Sequence, residues 1–353
     1  MSTRSEISKD VAGVVFTGCG VTNAAPAQPG GRRRQVVVNG RRVKTIDVHA
    51  HCVIPETLSM MGKKLEDQRG PGLGEVGVDR IRAMDEQGID VEALSINPFW
   101  YKAERDLAAQ IIKIQNEKLA ELCAANPDRF VAFASVSLQF PDLAVQQLVE
   151  GVKKLGLRGA AVGAGVAGEA FSEPKFHPFW AKAEELGVLI FIHPQGTPEL
   201  AKKFKGNGWL ANTIGNPLDT TIALSHLIFE GTLDRFPGLK ICSAHGGGYL
   251  PSYGPRSDNC LRVAPEMDTG VKLKKHPTEY LRQMYYDTLV FTSEALRHLA
   301  AEVGVSQLVI GTDHPIPWQS QSVDHILNAP GFSDDERIAM LSETAAKLLG
   351  IKL

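Results

Sequence analysis

The sequence predicts an α/β fold, a (β/α)8 TIM barrel, and three observations carry that prediction. From Val43 onward, short β-branched runs alternate about eight times with longer amphipathic stretches, without any repeat of sequence. Alternation of this kind builds a parallel sheet covered by helices. An open dinucleotide-binding sheet would carry Gly-x-Gly-x-x-Gly after its first strand, and here that place holds His49-Ala50-His51. The polar residues of greatest chemical interest also fall at strand ends, where a barrel assembles its βα loops and its chemistry.

The strand candidates are 43–48, 91–96, 130–136, 159–162, 188–192, 239–244, 284–288 and 308–311. Between them lie helical patterns. Residues 79–87 are apolar at Ile81 and Met84 and stop at Gly88. Residues 103–125 stop before Asn126-Pro127, 142–155 before Gly156, and 178–186 before Gly187. Glycine just past a helix is the expected stop signal. Further patterns cover 218–229, 293–303 and 334–349.

Ahead of the barrel, Val36 to Val43 reads as a hairpin turning at Asn39-Gly40. Residues 28–34, rich in Gly, Pro and Arg, read as linker. Residues 11–16 form a short apolar run, and Ala25 to Ala27 is an Ala-Pro-Ala stretch; together they have the outline of a degenerate signal segment. Glu6 and Asp10 spoil the basic start that export requires. The expected division is therefore 1–42, a tail, linker and hairpin, and 43–353, the barrel domain.

Composition excludes several classes. With 353 residues, net charge −2 and 43% hydrophobic residues, the chain is ordinary globular material able to bury a large core. Near-neutral charge, with no basic run beyond Arg32-Arg33-Arg34, gives no reason to expect a nucleic acid partner. No uninterrupted apolar stretch of ~18 residues offers a membrane span. The five cysteines are scattered, without a Cys-x-x-Cys pair, which argues against a disulfide framework and a zinc ribbon. A reducing compartment, the cytoplasm, is expected, with the periplasm as the alternative if the leading segment directs export.

The chemistry gathers at four strand ends. In Thr45-Ile46-Asp47-Val48-His49-Ala50-His51, residues i and i+2 of a strand share a face, so both imidazoles aim the same way. Ile190-Phe191-Ile192-His193, Ile241-Cys242-Ser243-Ala244-His245 and Ile310-Gly311-Thr312-Asp313 each end an apolar run in a histidine or an aspartate. Such groups are seldom buried unless paired or ligating. Many binuclear barrel hydrolases carry a bridging lysine at the end of strand 4, but here that strand reads Gly159-Ala160-Ala161-Val162-Gly163. The inference is one metal held by His49, His51, His193 and Asp313, with His245 left free as acid/base and Asp313 counted among the catalytic groups. Three imidazoles and a carboxylate suit Zn2+, with Mn2+ as the next choice, one ion per subunit. His245, with an unperturbed pKa of ~6.5, is suited to trade protons there. Gly246-Gly247-Gly248 would shape a pocket beside it. His314 neighbours Asp313 and either lines the mouth or is structural, and Phe99, Trp100 and Tyr101 after strand 2 form either an aromatic wall over a planar substrate or an ordinary apolar loop.

On these residues the chain resembles the amidohydrolase superfamily, and within it the aminocarboxymuconate-semialdehyde decarboxylase branch of metal-dependent decarboxylases. The likeness runs from Lys44 to Gly350. It rests on Ile46 to His51, Ile81 to Gly88, Phe191 to Pro194, Ala244 to Gly248 and Ile310 to Asp313, with Gly215 to Thr221 and Phe236-Pro237 in support. The resemblance implies a distorted barrel of the metal-dependent hydrolase type with one zinc, and a histidine matching His245 that handles protons. It implies small unsaturated or aromatic carboxylate substrates and an arginine matching Arg256 that binds substrate carboxylate, in some members across a dimer interface. Trp209 matches a pocket tryptophan. Gln195 stands where the decarboxylase has tryptophan, His314 replaces a tyrosine, and only Arg69 offers a second carboxylate-binding arginine.

The reading is a mononuclear decarboxylase of a small aromatic or unsaturated acid, forming a homodimer or higher homo-oligomer. A hydrolase of C–C or amide bonds, or a hydratase, is the alternative on the same scaffold.

Overall fold

The barrel strands are buried on both faces at nearly every position, the pattern of a parallel sheet covered by helices. The computed structural model describes residues 14–17, 20–23, 33–67, 73–74, 76–206, 209–265, 271–316, 318 and 321–353. Two units are distinct by their contacts, 1–32 and 33–353. In the first, Val14–Thr17 pairs antiparallel with Gly20–Asn23. The Ala25–Ala27 stretch, the start of the expected linker and Arg69 lie outside the described residues.

In the second unit the strands are β1 (Ile46–His51), β2 (Val91–Ser95), β3 (Phe130–Ala132), β4 (Gly159–Gly163), β5 (Leu189–His193), β6 (Lys240–Ser243), β7 (Tyr285–Asp287) and β8 (Leu308–Val309). They form two parallel sheets, β1-β2-β3 and β4 through β8 in order. Two seams close the ring. Ala134, just past β3, bridges Ala160 of β4. At the other seam Val48 N donates to Ile310 O at 3.0 Å and Asp313 N to His49 O at 2.8 Å, and Ala50 bridges His314. The eight-stranded barrel predicted from sequence is thereby formed, split by its hydrogen bonding into three and five strands.

The matching helices are α1 (Val78–Gln87), α2 (Arg105–Ala125), α3 (Pro141–Lys153), α4 (His177–Leu186), α5 (Asn216–Phe229), α6 (Leu250–Val263) and α7 (Ser293–Val303). The last, α8, runs as Asp334–Ile338 and Thr344–Leu349 about a π turn, Ala339–Glu343. Gly88 and Gly187 cap α1 and α4 in the left-handed region, φ 79° and 63°. One side of the strands packs on these helices. The other side fills the barrel: Ile46, Val91, Phe133, Phe191, Cys242 and Val309 form one cluster, with Phe133 stacked on Phe191 at 5.8 Å. Leu348 and Leu349 of α8, with Ile351, join that cluster.

Two expectations shift. The barrel unit begins at Arg33, not Val43, because the residues between are tied to it. Asp90, buried at the start of β2, accepts from both Arg33 and Arg42, and Arg34 pairs with Asp324 at 2.5 Å. The hairpin of Val37–Val38 and Arg41–Arg42 turns through Asn39 and Gly40, both at positive φ, as its Asn-Gly signal predicts. The first strand also starts later, at Ile46, because Val43 N is engaged by Val36 O within the hairpin. No helix among the described residues is long and apolar enough to cross a membrane.

Candidate metal centre

The β1 tip carries His49 and His51, both buried, their Nε2 atoms 3.0 Å apart. Asp313, which follows β8, brings Oδ1 to 3.1 Å from His49 Nε2 and 2.9 Å from His51 Nε2. His193 ends β5, its ring 4.5 Å from that of His51. One donor atom from each of His49, His51, His193 and Asp313 lies within 4.8 Å of the others. All four residues come together from strands 1, 5 and 8.

Their hydrogen bonds set the tautomers. His49 Nδ1 lies 2.6 Å from Asp287 Oδ2, a carboxylate that only accepts. Ser95 Oγ donates to Ala50 O and accepts from His51 Nδ1 at 3.0 Å. His193 Nδ1 faces Pro194 O at 2.8 Å. Each Nδ1 therefore keeps its proton, which leaves each Nε2 as the atom able to turn a lone pair to a common focus once it carries no second proton. His193 Nε2 is buried there without a hydrogen-bond partner among the described residues. An orphaned acceptor of this kind is costly unless something electropositive meets it.

The charges agree. Burial alone would depress His49, but the charge of Asp313 and the bonds to Asp287 and Asp313 prevail and raise it to about 10. Burial holds His51 down, and holds His193 well down with help from the neighbouring imidazoles. Burial would raise Asp313, yet His49, His245 and His51 hold it well below the usual carboxylate range. Two buried carboxylates, Asp313 and Asp287, thus face imidazoles, with no Lys or Arg paired to them among the described residues. A divalent cation satisfies this set and releases His49 from carrying the proton.

His245 begins the loop after β6, with Nε2 3.7 Å from Asp313 Oδ2 and its side chain partly exposed. Its φ is positive, 55°, and so are those of Gly246, Gly247 and Gly248. These glycines lie close against the protein itself. A Cβ on Gly248 would meet Pro217 O at 2.2 Å, and one on Gly247 the Tyr286 ring at 2.7 Å.

The expected substrate residues differ in exposure. Trp100 is not part of an aromatic wall: it is fully buried, its indole N–H donating to Val136 O at 2.9 Å. A ring without exposed surface has none to offer a substrate. Tyr101 is likewise buried, its hydroxyl accepting from Gly163 N, while Phe99 is half-buried. Arg256 stands exposed on α6. Trp209 is exposed and lies edge-on to Trp318, ring centres 6.1 Å apart. His314 is largely buried, with Nδ1 against Glu92 Oε1 at 2.5 Å.

Sequence reasoning missed the groups behind the ligands. Asp287 ends β7 and was hidden in an ordinary strand. Glu92 sits in β2, bonded by Arg80 of α1 at 2.6 Å, and all three are buried. The available signal was a carboxylate inside an apolar run, Val91-Glu92-Ala93-Leu94, where burial demands a partner. Asp47 joins β1 to β8 by accepting from Thr312 N and Oγ1 at 3.1 and 2.5 Å.

Comparison with known proteins yields consistent matches. The family described as Amidohydrolase matches residues 46–351. The 2-amino-3-carboxymuconate-6-semialdehyde decarboxylase of Dictyostelium discoideum is 30% identical over 275 residues, covering 77% of this chain and 76% of that protein. The gamma-resorcylate decarboxylase of Rhodococcus jostii is 29% identical, covering 86% and 97%. The crystal structure of a dihydroxybenzoic acid decarboxylase from a Polaromonas species, with bound manganese and the inhibitor 2-nitroresorcinol, superposes with a TM-score of 0.76. That structure is 26% identical and covers 88% of this chain and 97% of its own.

Proposed function

The chain belongs to the amidohydrolase family, and from that premise we propose that it is a metal-dependent, non-oxidative decarboxylase of a small aromatic or unsaturated carboxylic acid. The observation that carries this reading is the convergence of His49, His51, His193 and Asp313, with His245 beside them. When bound, a divalent cation supplies Lewis acidity that draws electron density from a substrate's oxygens. The donor set suits zinc, and manganese is the ion bound in the Polaromonas relative; one ion per chain is expected.

The chain's own residues do the rest. As the bond to the carboxylate carbon breaks, its electron pair stays on the substrate carbon, CO2 departs, and a proton takes its place. His245 moves that proton, and Asp313, 3.7 Å from its Nε2, steadies the imidazole. The resemblance and its place on the helix following His245 support Arg256 as the carboxylate-binding group, with Trp209 adding apolar surface. The resemblance supports a homo-oligomer, since in some members the arginine matching Arg256 reaches across a dimer interface. Free Cys52, Cys123, Cys242 and Cys260 support a cytoplasmic setting.

The test is to incubate metal-loaded protein with hydroxybenzoates, 2,6-dihydroxybenzoate among them, and muconate-type acids, measuring CO2 and product together. Equal release of CO2 and decarboxylated product supports the reading. A product that has gained water, with no CO2, establishes hydrolysis or hydration instead. His245→Asn is expected to lose turnover by about 10²–10⁴-fold with its metal content intact.

A further inference from the structure

We infer that Asp287 is a positioning residue that couples occupancy of the metal centre to the backbone carrying His245. The inference rests on the metal-dependent reading of that centre. Asp287 is fully buried, and both of its oxygens are shared. Oδ2 takes His49 Nδ1 at 2.6 Å and His245 N at 3.0 Å. Oδ1 takes Gly246 N at 2.9 Å and Leu289 N at 3.1 Å. One oxygen thus touches both the ring of a proposed ligand and the main chain of the proposed acid/base.

Those backbone bonds have a specific task. Four consecutive residues, 245–248, have positive φ. Glycine does this freely, whereas a histidine there is strained. The amides of His245 and Gly246 converge on Asp287 as successive N–H groups converge on an anion in a nest, except that the anion is a side chain of this protein. Gly311 leaves the room for it: a Cβ there would stand 2.7 Å from Asp287 Cβ and 3.0 Å from His49 Cβ. A shift of the His49 ring on cation binding therefore passes through Oδ2 to His245.

Asp287→Asn makes the point chemically. The side chain keeps its size, but its NH2 must face two N–H donors whichever way the amide turns. Turned one way it opposes His49 Nδ1 and His245 N, turned the other way Gly246 N and Leu289 N.

The experiment uses Zn2+ as probe on the full chain. Affinity is measured by competition with a chromophoric chelator, and backbone exchange across residues 244–249 by deuterium uptake with and without the ion. In wild type, Zn2+ is expected to slow exchange of this segment. Asp287→Asn is expected to bind Zn2+ about 10- to 100-fold more weakly and to lose that response when saturated. Ser95→Ala, which unties His51 and the Ala50 carbonyl but leaves every bond of Asp287 in place, is expected to weaken Zn2+ binding but keep the loop response. If wild type binds Zn2+ tightly while segment 244–249 exchanges identically with and without it, the coupling is wrong. That wild-type measurement decides the matter even where the Asp287 variant does not fold. If Ser95→Ala abolishes the loop response as Asp287→Asn does, Asp287 has no special part and the inference also fails. A wild type that binds neither Zn2+ nor Mn2+ overturns the metal reading itself.

Discussion

The Arg80 guanidinium donates a 2.6 Å hydrogen bond to the carbonyl oxygen of His51, so a helix residue holds the backbone of a proposed ligand from behind. The same guanidinium pairs with Glu92, which also meets His314, in a site where Arg80 and Glu92 are both buried. Arg80→Met is expected to destabilise the fold by about 3–5 kcal/mol, because it strands a carboxylate in the core. The double variant Arg80→Met/Glu92→Leu should recover part of that loss. Urea denaturation of the three proteins checks both statements.

Metal removal should be felt in stability as well as turnover. A ligand present at 100 times its Kd stabilises a fold by about 2.7 kcal/mol, so dialysis against a chelator should lower Tm, and adding Zn2+ or Mn2+ should restore it. His193→Ala deletes the donor whose Nε2 is orphaned. Its metal content, read by elemental analysis after desalting, should fall well below one ion per chain.

Gly248→Ala should damage the site without touching a ligand. The added methyl would meet Pro217 O at 2.2 Å and Thr221 Oγ1 at 2.7 Å, at a φ of 66°. Strain and overpacking of this kind cost about 1–3 kcal/mol each. The loop must shift to relieve them, carrying His245 with it. Steady-state kinetics should show the loss in kcat more than in KM, with metal content near wild type.

Trp100→Phe should separate packing from substrate contact. It leaves Val136 O without its indole donor and opens space in the core. A loss of about 1–3 kcal/mol in stability is expected, with KM unchanged for any accepted acid. A large rise in KM alone would return Trp100 to the substrate wall.

The barrel was legible because its signals are local. Apolar runs, glycine stops and the His-x-His tip are read within a few residues, and β5 and α7 stand within a residue or so of where periodicity places them. The four donors were legible for a related reason: barrel topology sends every strand end to one mouth, so no long-range contact had to be guessed. The supporting groups were not. His49 and Asp287 are 238 positions apart, and nothing in Tyr285-Tyr286-Asp287 says which ring that carboxylate will hold. Helix α6 escaped notice because Gly254 and Pro255 interrupt its pattern, although Pro255 is accommodated inside it. Trp100 misled because an aromatic beside a strand end looks the same whether it lines a cleft or fills a core.

The packing of Phe133 on Phe191 inside the barrel, with Leu348 and Leu349 in the same cluster, makes the scaffold a cup and not a pipe. Chemistry held at the strand tips is thereby walled off from the opposite end of the barrel.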